Sequence, residues 1–349
     1  MATPDNDDLA VGEALIEELA SVADTTESYD AVSGVWKCGE SLSAAGRSDD
    51  ALQLYDRLLA WFHEHDRAES AEQIAYTMLE RAAALRSLDR LPESVAQYDD
   101  LIRRCRTDWS PSPTLQDYMA NALSWKGYSL LLLKRWLEAL VSCDELIALD
   151  ATLPRESRDW VINARNNRGT ALEGLGDKVG AADAFAAALS ALPTGDDPVY
   201  QRASQEMRIR RGRILADLGE TAEACALFDS LIAIADPASP EDIAAAYYEK
   251  AYYLAKGGEL EAAIDVAEAS VQRFGPADDP RVRIYAAGCL QTKISALKRL
   301  GRDTAAALTA DQLVERFGAD LDPGIEKIVA RHAHRLGRSR SRLRFRGLG

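Results

Sequence analysis

The stretch GTALEGLGDKVGAADAFAAALSALP, residues 169–193, decides the fold, because its pattern of small, apolar and aromatic residues recurs along the chain. The pattern consists of a small residue, a leucine, a glycine, an alanine and an aromatic residue, here Gly169, Leu172, Gly176, Ala181 and Phe185. Seven copies keep the leucine, at Leu42, Leu85, Leu130, Leu172, Leu215, Leu254 and Leu297. Successive leucines lie 39 to 45 residues apart, and such even spacing predicts a repeat protein.

Each copy is predicted to form two antiparallel helices. The small residue and the leucine lie three positions apart and therefore share one face of a first helix. A glycine such as Gly176 follows where this helix must end, because glycine readily adopts the left-handed conformation of a helix C-cap. The alanine and the aromatic residue, four positions apart, face back from a second helix. Junctions that pair an N-cap side chain with a proline predict further helix starts at Ser112-Pro113, Asp197-Pro198, Ser239-Pro240, Asp279-Pro280 and Asp322-Pro323.

Composition and charge limit the class of protein. With 47% hydrophobic and only 7% aromatic residues, the 349-residue chain can bury a large core, and its many alanines and leucines favour helices over strands. The net charge of −15 disfavours binding of nucleic acid or anionic membranes by the body of the protein. No apolar run is long enough to form a transmembrane segment, and the acidic first ten residues do not resemble a secretory signal. Five cysteines without CxxC spacing predict reduced thiols and a cytoplasmic location.

The repeat resembles the tetratricopeptide repeat. The resemblance lies in Gly169-x-x-Leu172, Gly176, Ala181, Phe185 and the closing Pro193, and the copies cover about residues 31 to 318. The unit is longer than the family's usual length of about 34 residues. It is similar to bacterial arrays whose units end in Arg-Phe-Gly, as at Arg273-Phe274-Gly275 and Arg316-Phe317-Gly318. The resemblance implies a scaffold that binds protein segments, with no family-wide catalytic residues.

The predicted fold class is all-α: a right-handed α-solenoid of about seven helix-turn-helix repeats with a capping helix at each end. Capping helices are expected because a stacked array must cover its terminal apolar faces. Four regions follow from this interpretation. They are an acidic N-terminal segment with a capping helix over 8–23 (1–30), the repeats (31–318), a C-terminal capping helix (319–336) and an arginine-rich tail predicted to be disordered (337–349).

No catalytic, cofactor or metal site is predicted. The segment GLGDKVG, residues 174–180, lacks the preceding strand and the glycine spacing of a phosphate loop, because its first two glycines close a helix. The two histidine pairs, His63 with His65 and His332 with His334, are spaced i, i+2, which points their rings to different faces of a helix. A metal site that combines the first pair with a remote carboxylate stays open. We therefore expect no cofactor and no enzymatic activity.

The inner wall of the array is the candidate binding surface, because the first helices of a stacked array line its concave face. Positions one after, three before and six before the small residue are enriched in aromatic and amide side chains. With their neighbours, the candidates are Trp36, Tyr76, Tyr128, Asn163, Asn166, Asn167, Arg210, Arg213, Tyr248 and Tyr252. Two interpretations stay open. These residues bind the backbone or a carboxylate of an extended peptide, or they form amide ladders and arginine–acid pairs between neighbouring helices.

The C-terminal residues 331–349 hold seven arginines and no acidic residue. In one interpretation this arm contacts the acidic surface of its own or a neighbouring chain. In the other it binds nucleic acid or an anionic membrane surface through Arg338, Arg340, Arg342, Arg344 and Arg346. The sequence as a whole predicts a scaffold or adaptor that binds a protein or peptide. An effector- or peptide-sensing regulator that acts through a partner is the alternative.

Overall fold

The computed structural model describes residues 7–19, 25–64, 70–193, 197–234, 239–319 and 322–333. These residues form sixteen α-helices, a short 3-10 turn at Arg155–Ser157 and no strand. The all-α prediction is therefore confirmed. The chain divides into two compact units, unit 1 over Met1–Ala184 and unit 2 over Phe185–Gly349.

The helices alternate between the first and second members of each copy. Unit 1 contains α1 (Asp7–Leu19), α2 (Thr25–Ala44), α3 (Ser48–Glu64), α4 (Ala71–Ser87), α5 (Leu91–Thr107), α6 (Pro113–Leu132), α7 (Trp136–Ala148) and α8 (Arg158–Leu175). The boundary between the units falls within α9 (Lys178–Ala191). Unit 2 continues with α10 (Pro198–Leu218), α11 (Thr221–Ile232), α12 (Pro240–Gly257), α13 (Leu260–Phe274), α14 (Pro280–Arg299), α15 (Asp303–Phe317) and α16 (Pro323–Ala333).

One joint between first and second helix is repeated in all seven copies. The residue four positions after the conserved leucine has a positive φ in every copy, at Gly46, Asp89, Lys134, Gly176, Gly219, Gly258 and Gly301. The next backbone N–H donates to the carbonyl of that leucine at 2.8–2.9 Å, which closes the helix as a Schellman motif does. Two copies form this joint without glycine, because Asp89 and Lys134 adopt φ values of 59° and 58°.

The predicted helix starts are also present. Each of the five junctions places an Asp or Ser side chain so that it accepts a hydrogen bond from a backbone N–H of the helix that follows. The donors are Leu115, Val199, Asp242, Arg281 and Gly324. Because these bonds link residues two or three positions apart, the local sequence determines where the helices begin.

Packing within a copy joins the small residue of the first helix to a large side chain of the second. A Cβ added at Gly39 would lie 2.4 Å from the hydroxyl oxygen of Tyr55, and one at Gly212 would lie 2.6 Å from the ring of Phe228. The seven conserved leucines are all buried. Gly174 has a different role from Gly176, because it lies inside α8, where a Cβ would lie 2.5 Å from the indole of Trp136.

Successive first helices pack side by side within each unit, as stacked repeats require. In unit 1, α2 packs on α4, α4 on α6 and α6 on α8, and in unit 2, α10 packs on α12 and α12 on α14. At the two ends, α1 packs on α2 and α3, and α16 packs on α14 and α15. These contacts agree with capping roles for α1 and α16, while the division of the chain into four regions stays a prediction. The arginine-rich tail lies outside the described residues.

Candidate functional site

The first helices of unit 1 bring three aromatic side chains into contact. The indole of Trp36 on α2 meets the ring of Tyr76 on α4 edge-on, with 4.7 Å between centroids. The ring of Tyr76 lies 5.8 Å from that of Tyr118 on α6. All three side chains are half-buried. We call these three residues the aromatic row, which joins two of the predicted inner-wall residues across three successive copies.

Tyr118 was missed by the sequence analysis. Measured from the small residue of each copy, Trp36 lies three positions before Gly39, Tyr76 six before Ala82 and Tyr118 nine before Gly127. The row therefore crosses the helices obliquely, by about one helical turn per copy. An offset that grows by three residues per copy points to Tyr118, whereas the same offset in every copy does not.

Hydrogen bonds between copies fix the orientation of the aromatic row. The Trp36 Nε1–H donates to the Thr77 hydroxyl at 3.0 Å, and that hydroxyl donates to the carbonyl of Gln73 at 2.8 Å. The Tyr76 hydroxyl donates to Glu40 at 2.6 Å. Burial, together with this hydrogen bond, raises the pKa of Tyr76, which keeps its hydroxyl protonated as a donor.

Two glutamates accompany the aromatic row. Glu40 on α2 is exposed and Glu80 on α4 is half-buried. Burial, followed by the charge of Glu40, raises the pKa of Glu80 to about 7. We call the aromatic row together with Glu40 and Glu80 the aromatic–acidic face. Its carboxylates repel each other in the ionised state.

An acidic side chain next to this face forms hydrogen bonds with a serine and a tryptophan. Asp117, adjacent to Tyr118, accepts hydrogen bonds from the Ser157 hydroxyl at 2.9 Å and from the Trp160 Nε1–H at 3.0 Å. These bonds link α6 to the start of α8. They hold the side chain of Asp117, the residue before Tyr118, in one position.

The predicted residue Tyr128 belongs to a separate cluster. Its ring is 38% exposed and meets Trp125 edge-on at 5.7 Å. The guanidinium of Arg86 lies over the Trp125 ring, 4.2 Å from its centroid, in a cation–π contact. The structure thus shows a cation resting on an indole at the surface of unit 1.

The three predicted asparagines of α8 differ in their surroundings. Asn167 is buried, and its amide donates to the carbonyl of Ser124 on α6 at 3.5 Å. The Asn166 Oδ1 atom is enclosed and has no hydrogen-bond partner among the described residues, and Asn163 is exposed. Asn167 supports the ladder interpretation, because its amide reaches from one first helix to the preceding one.

In unit 2 the predicted residue Arg213 forms an ion pair with Glu249 of the next copy. Its Nε and Nη2 atoms lie 2.8 Å and 2.7 Å from one carboxylate oxygen of Glu249, whose side chain is only 10% exposed. Burial raises the pKa of Glu249, while the charge of Arg213 acts in the opposite direction. This contact is the arginine–acid pair that the ladder interpretation predicts.

The other predicted residues of unit 2 lie around this pair. Arg210 lies 3.8 Å from Glu206 and 5.7 Å from the ring of Phe185. Tyr248 stacks on Tyr252 at 6.2 Å between centroids, and Tyr252 is 43% exposed. Unit 2 therefore has an exposed tyrosine of its own, Tyr252, beside charges that are compensated within the fold.

The two units can be compared position by position. Arg213 directly follows the small residue Gly212, and Glu249 precedes the next small residue, Ala251, by two positions. In unit 1 the same two positions are occupied by Glu40, after Gly39, and by Glu80, two before Ala82. An arginine–glutamate pair in unit 2 thus corresponds to a glutamate–glutamate pair in unit 1.

A groove of about 580 Å³ lies elsewhere in unit 1, between α3, α4 and α5. Its charged side chains are paired, Arg81 with Asp56 at 2.6 Å and Arg104 with Asp100 at 2.9 Å. Exposed His63 lines this groove, His332 is buried, and the other two histidines lie outside the described residues. Over the described part of the chain, no group of three or more His, Cys, Asp or Glu side chains is arranged to hold a metal ion.

In the described ranges no helix is both long and apolar enough to cross a membrane. The predicted anion-binding arginines of the tail lie beyond residue 333, where the description ends. Binding by the tail therefore stays a prediction.

Comparison with known proteins supports the fold. No family model matches the chain, and no curated protein matches it. A crystal structure of BtubC (BKLC) from P. vanneervenii is similar with a TM-score of 0.51 and 16% identity, over 64% of this chain and 88% of that chain. A tetratricopeptide repeat protein from Parabacteroides merdae has a TM-score of 0.43 and 13% identity, over 80% and 99% of the two chains. An engineered protein has a TM-score of 0.43 and 14% identity, over 94% and 99%.

At these identities the likeness concerns the fold alone, and the first match carries it. Together with the repeated helix pairs, it supports an array of helical repeats. Membership of the tetratricopeptide family stays a prediction.

Proposed function

We propose that the protein is a non-catalytic scaffold or adaptor that binds a protein or peptide segment on the face formed by its first helices. The aromatic row carries the proposal. Trp36, Tyr76 and Tyr118 are partly exposed, touch one another and come from three successive copies. Tyrosine and tryptophan are enriched at the centres of protein interfaces, where they bury a large area at a low cost in conformational entropy.

The rigidity of this face supports binding. Trp36 is held by Thr77, Tyr76 by Glu40, and Tyr118 lies beside the Asp117–Trp160 hydrogen bond. Side chains that are already fixed lose little freedom when a partner binds, which favours affinity. Stacked repeats also present such a row along several copies, so that an extended segment can contact each of them.

The experiment is affinity capture from the source cell with the intact protein and with Tyr118→Ala. We expect the variant to retain less than about a tenth of the captured partner, because truncating an aromatic hot spot costs about 2 kcal/mol or more and about 1.4 kcal/mol is already tenfold. Tyr128→Ala is the matched control, since it removes an exposed tyrosine of the same helix outside the aromatic row.

Thermal melting of both variants separates binding from stability. Because Tyr118 is half-buried and packs on the core of unit 1, the proposal expects Tyr118→Ala to remain folded at the temperature of capture, with some loss of stability, while capture falls. Unchanged capture, or equal losses for Tyr118→Ala and Tyr128→Ala, would contradict binding at the aromatic row.

A further inference from the structure

Among the described residues, the glutamates of the aromatic–acidic face form no ion pair, whereas the corresponding glutamate of unit 2 does. Arg213 compensates Glu249 in unit 2 at 2.7 Å. At the corresponding positions of unit 1, the ion pairs formed among the described residues include neither Glu40 nor Glu80. The position that the Arg213 guanidinium serves in unit 2 is thus taken by a second carboxylate, that of Glu40, in unit 1.

Binding of a cation between these two glutamates is energetically favourable. Moving a carboxylate out of water is unfavourable unless it is paired, and a second negative charge nearby adds to the cost. The raised pKa of Glu80 reflects both causes. A cation between Glu40 and Glu80 would relieve the repulsion and compensate the half-buried charge.

The aromatic row supplies a second set of contacts for the same cation. Ammonium and guanidinium groups bind favourably within about 6 Å of an aromatic ring, and tryptophan and tyrosine are the best partners. Unit 1 already shows such a contact where Arg86 lies over Trp125. The Tyr76 hydroxyl, bonded to Glu40, places a carboxylate directly beside the rings.

We infer that the aromatic–acidic face binds a basic segment of another protein, whose arginine or lysine side chain lies between Glu40 and Glu80 and against the aromatic row. This inference rests on the proposed function and specifies the chemistry of its partner. The net charge of −15 would also attract such a segment from a distance.

The first measurement compares two fluorescent peptides by anisotropy with the full chain. One is Gly-Arg-Gly-Lys-Gly-Arg-Gly-Lys-Gly, and the other has glutamate in place of every basic residue. We expect the basic peptide to bind at least about tenfold more tightly, with an affinity that falls as salt rises. Equal binding of the two peptides, or a preference for the acidic one, would overturn the inference.

Substitutions at the face locate the binding. Glu40→Arg reproduces the pair of unit 2 and should weaken the basic peptide about tenfold or more, while the melting temperature stays or rises. Glu80→Gln should also weaken the peptide about tenfold, because it removes the charge without changing the shape. The matched control is Glu173→Gln on α8, which removes one exposed negative charge elsewhere in unit 1. An equal loss in the control would show attraction by net charge alone and would overturn the site.

The pH dependence tests the role of Glu80. The titratable groups that face it are Glu40 on α2, Tyr55 on α3, Tyr76 on α4, Tyr98 on α5 and Tyr118 on α6. The pKa values of the tyrosines are raised, so they keep their protons at neutral pH. A bound cation favours ionised Glu80, and affinity should rise up to about tenfold between pH 6 and pH 8. Glu80→Gln should abolish the rise, and a flat profile in the intact protein contradicts the inference.

A full-length variant decides whether the chain's own C-terminal segment is the occupant instead. It carries glutamine in place of Arg338, Arg340, Arg342, Arg344 and Arg346. Unchanged affinity for the basic peptide supports a separate partner, whereas a gain of about tenfold would assign the face to the tail. The failure of this inference is distinguishable from that of the proposed function. If a partner is captured through Tyr118 but is displaced by the acidic peptide, the proposed scaffold function stands and a basic partner is excluded.

Discussion

Unit 1 and unit 2 use the same joint between helices but different chemistry on their first helices. In both units the residue after the left-handed position donates its N–H to the carbonyl of the conserved leucine. At one pair of equivalent positions, however, unit 1 has Glu40 and Glu80 while unit 2 has Arg213 and Glu249. The backbone interactions that define the repeat therefore place little restriction on the exposed side chains.

The two interpretations of the inner wall, structural ladder and binding surface, are supported in different units. In unit 2 the Arg213–Glu249 pair joins neighbouring first helices, as a structural ladder does. In unit 1 the aromatic row is partly exposed, and no ion pair among the described residues includes the adjacent Glu40 or Glu80. Binding at the unit 1 face stays a proposal.

The largest effect is expected where the two units are alike. Leu172→Ala in unit 1 and Leu215→Ala in unit 2 should each lower the free energy of unfolding by about 2–5 kcal/mol, because each leaves a cavity in a packed core. Chemical denaturation of both variants measures this. A loss below about 0.5 kcal/mol in either would show that the leucine is not a core position of its copy.

Glu80→Gln should stabilise the protein at pH 8 by about 1–3 kcal/mol. The pKa of Glu80 is raised from 4.5 to about 7 in the folded state, so folding favours its protonated form. That contribution is fully present below pH 4.5 and is lost as the pH rises through about 7. Denaturation from pH 5 to pH 8 should therefore show a growing difference between the variant and the intact protein. A constant difference would mean that Glu80 is not destabilised by its surroundings.

Arg213→Gln should have the opposite effect on stability and lower the free energy of unfolding by roughly 1–2 kcal/mol at pH 8. It leaves the mostly buried Glu249 without its cation, and the loss is smaller than for a fully buried pair because the Arg213 side chain is 42% exposed. Lys256→Gln is the control, since its partner Asp217 lies 3.4 Å away at the surface. Equal effects of the two substitutions would remove the distinction between a ladder and an ordinary surface pair.

The smallest effect concerns the two copies of unit 1 that form the joint without glycine. Asp89→Gly and Lys134→Gly should each raise the free energy of unfolding by about 0.5–1 kcal/mol, because a left-handed backbone is unfavourable for residues with a Cβ. Gly176→Ala should lower the free energy of unfolding, because it places a Cβ at a residue with a positive φ. Thermal melting checks the three variants, and destabilisation by Asp89→Gly would indicate that its side chain is needed at the joint.

The sequence predicted the helices well and the contacts between copies poorly. The period, the glycine C-caps and the five capped starts are all present. The sequence also proposed Trp36, Tyr76 and Arg213, but their partners are Thr77, Glu40 and Glu249, which lie 36 to 41 residues away. Tyr118 was missed for the same reason, because the row that contains it shifts from one helix to the next.

The sequence by itself determined the repeat, the helix ends and the buried leucines, because these depend on residues within about one or two helical turns of each other. Only the tertiary structure decided that Asp89 and Lys134 form the same joint as glycine, that the charge of Glu40 acts on Glu80, and that Arg213 pairs with Glu249. The physical reason is that side chains of neighbouring first helices meet according to how far one helix is shifted along the other. That shift is set by packing over the whole interface between the helices and not by any local signal.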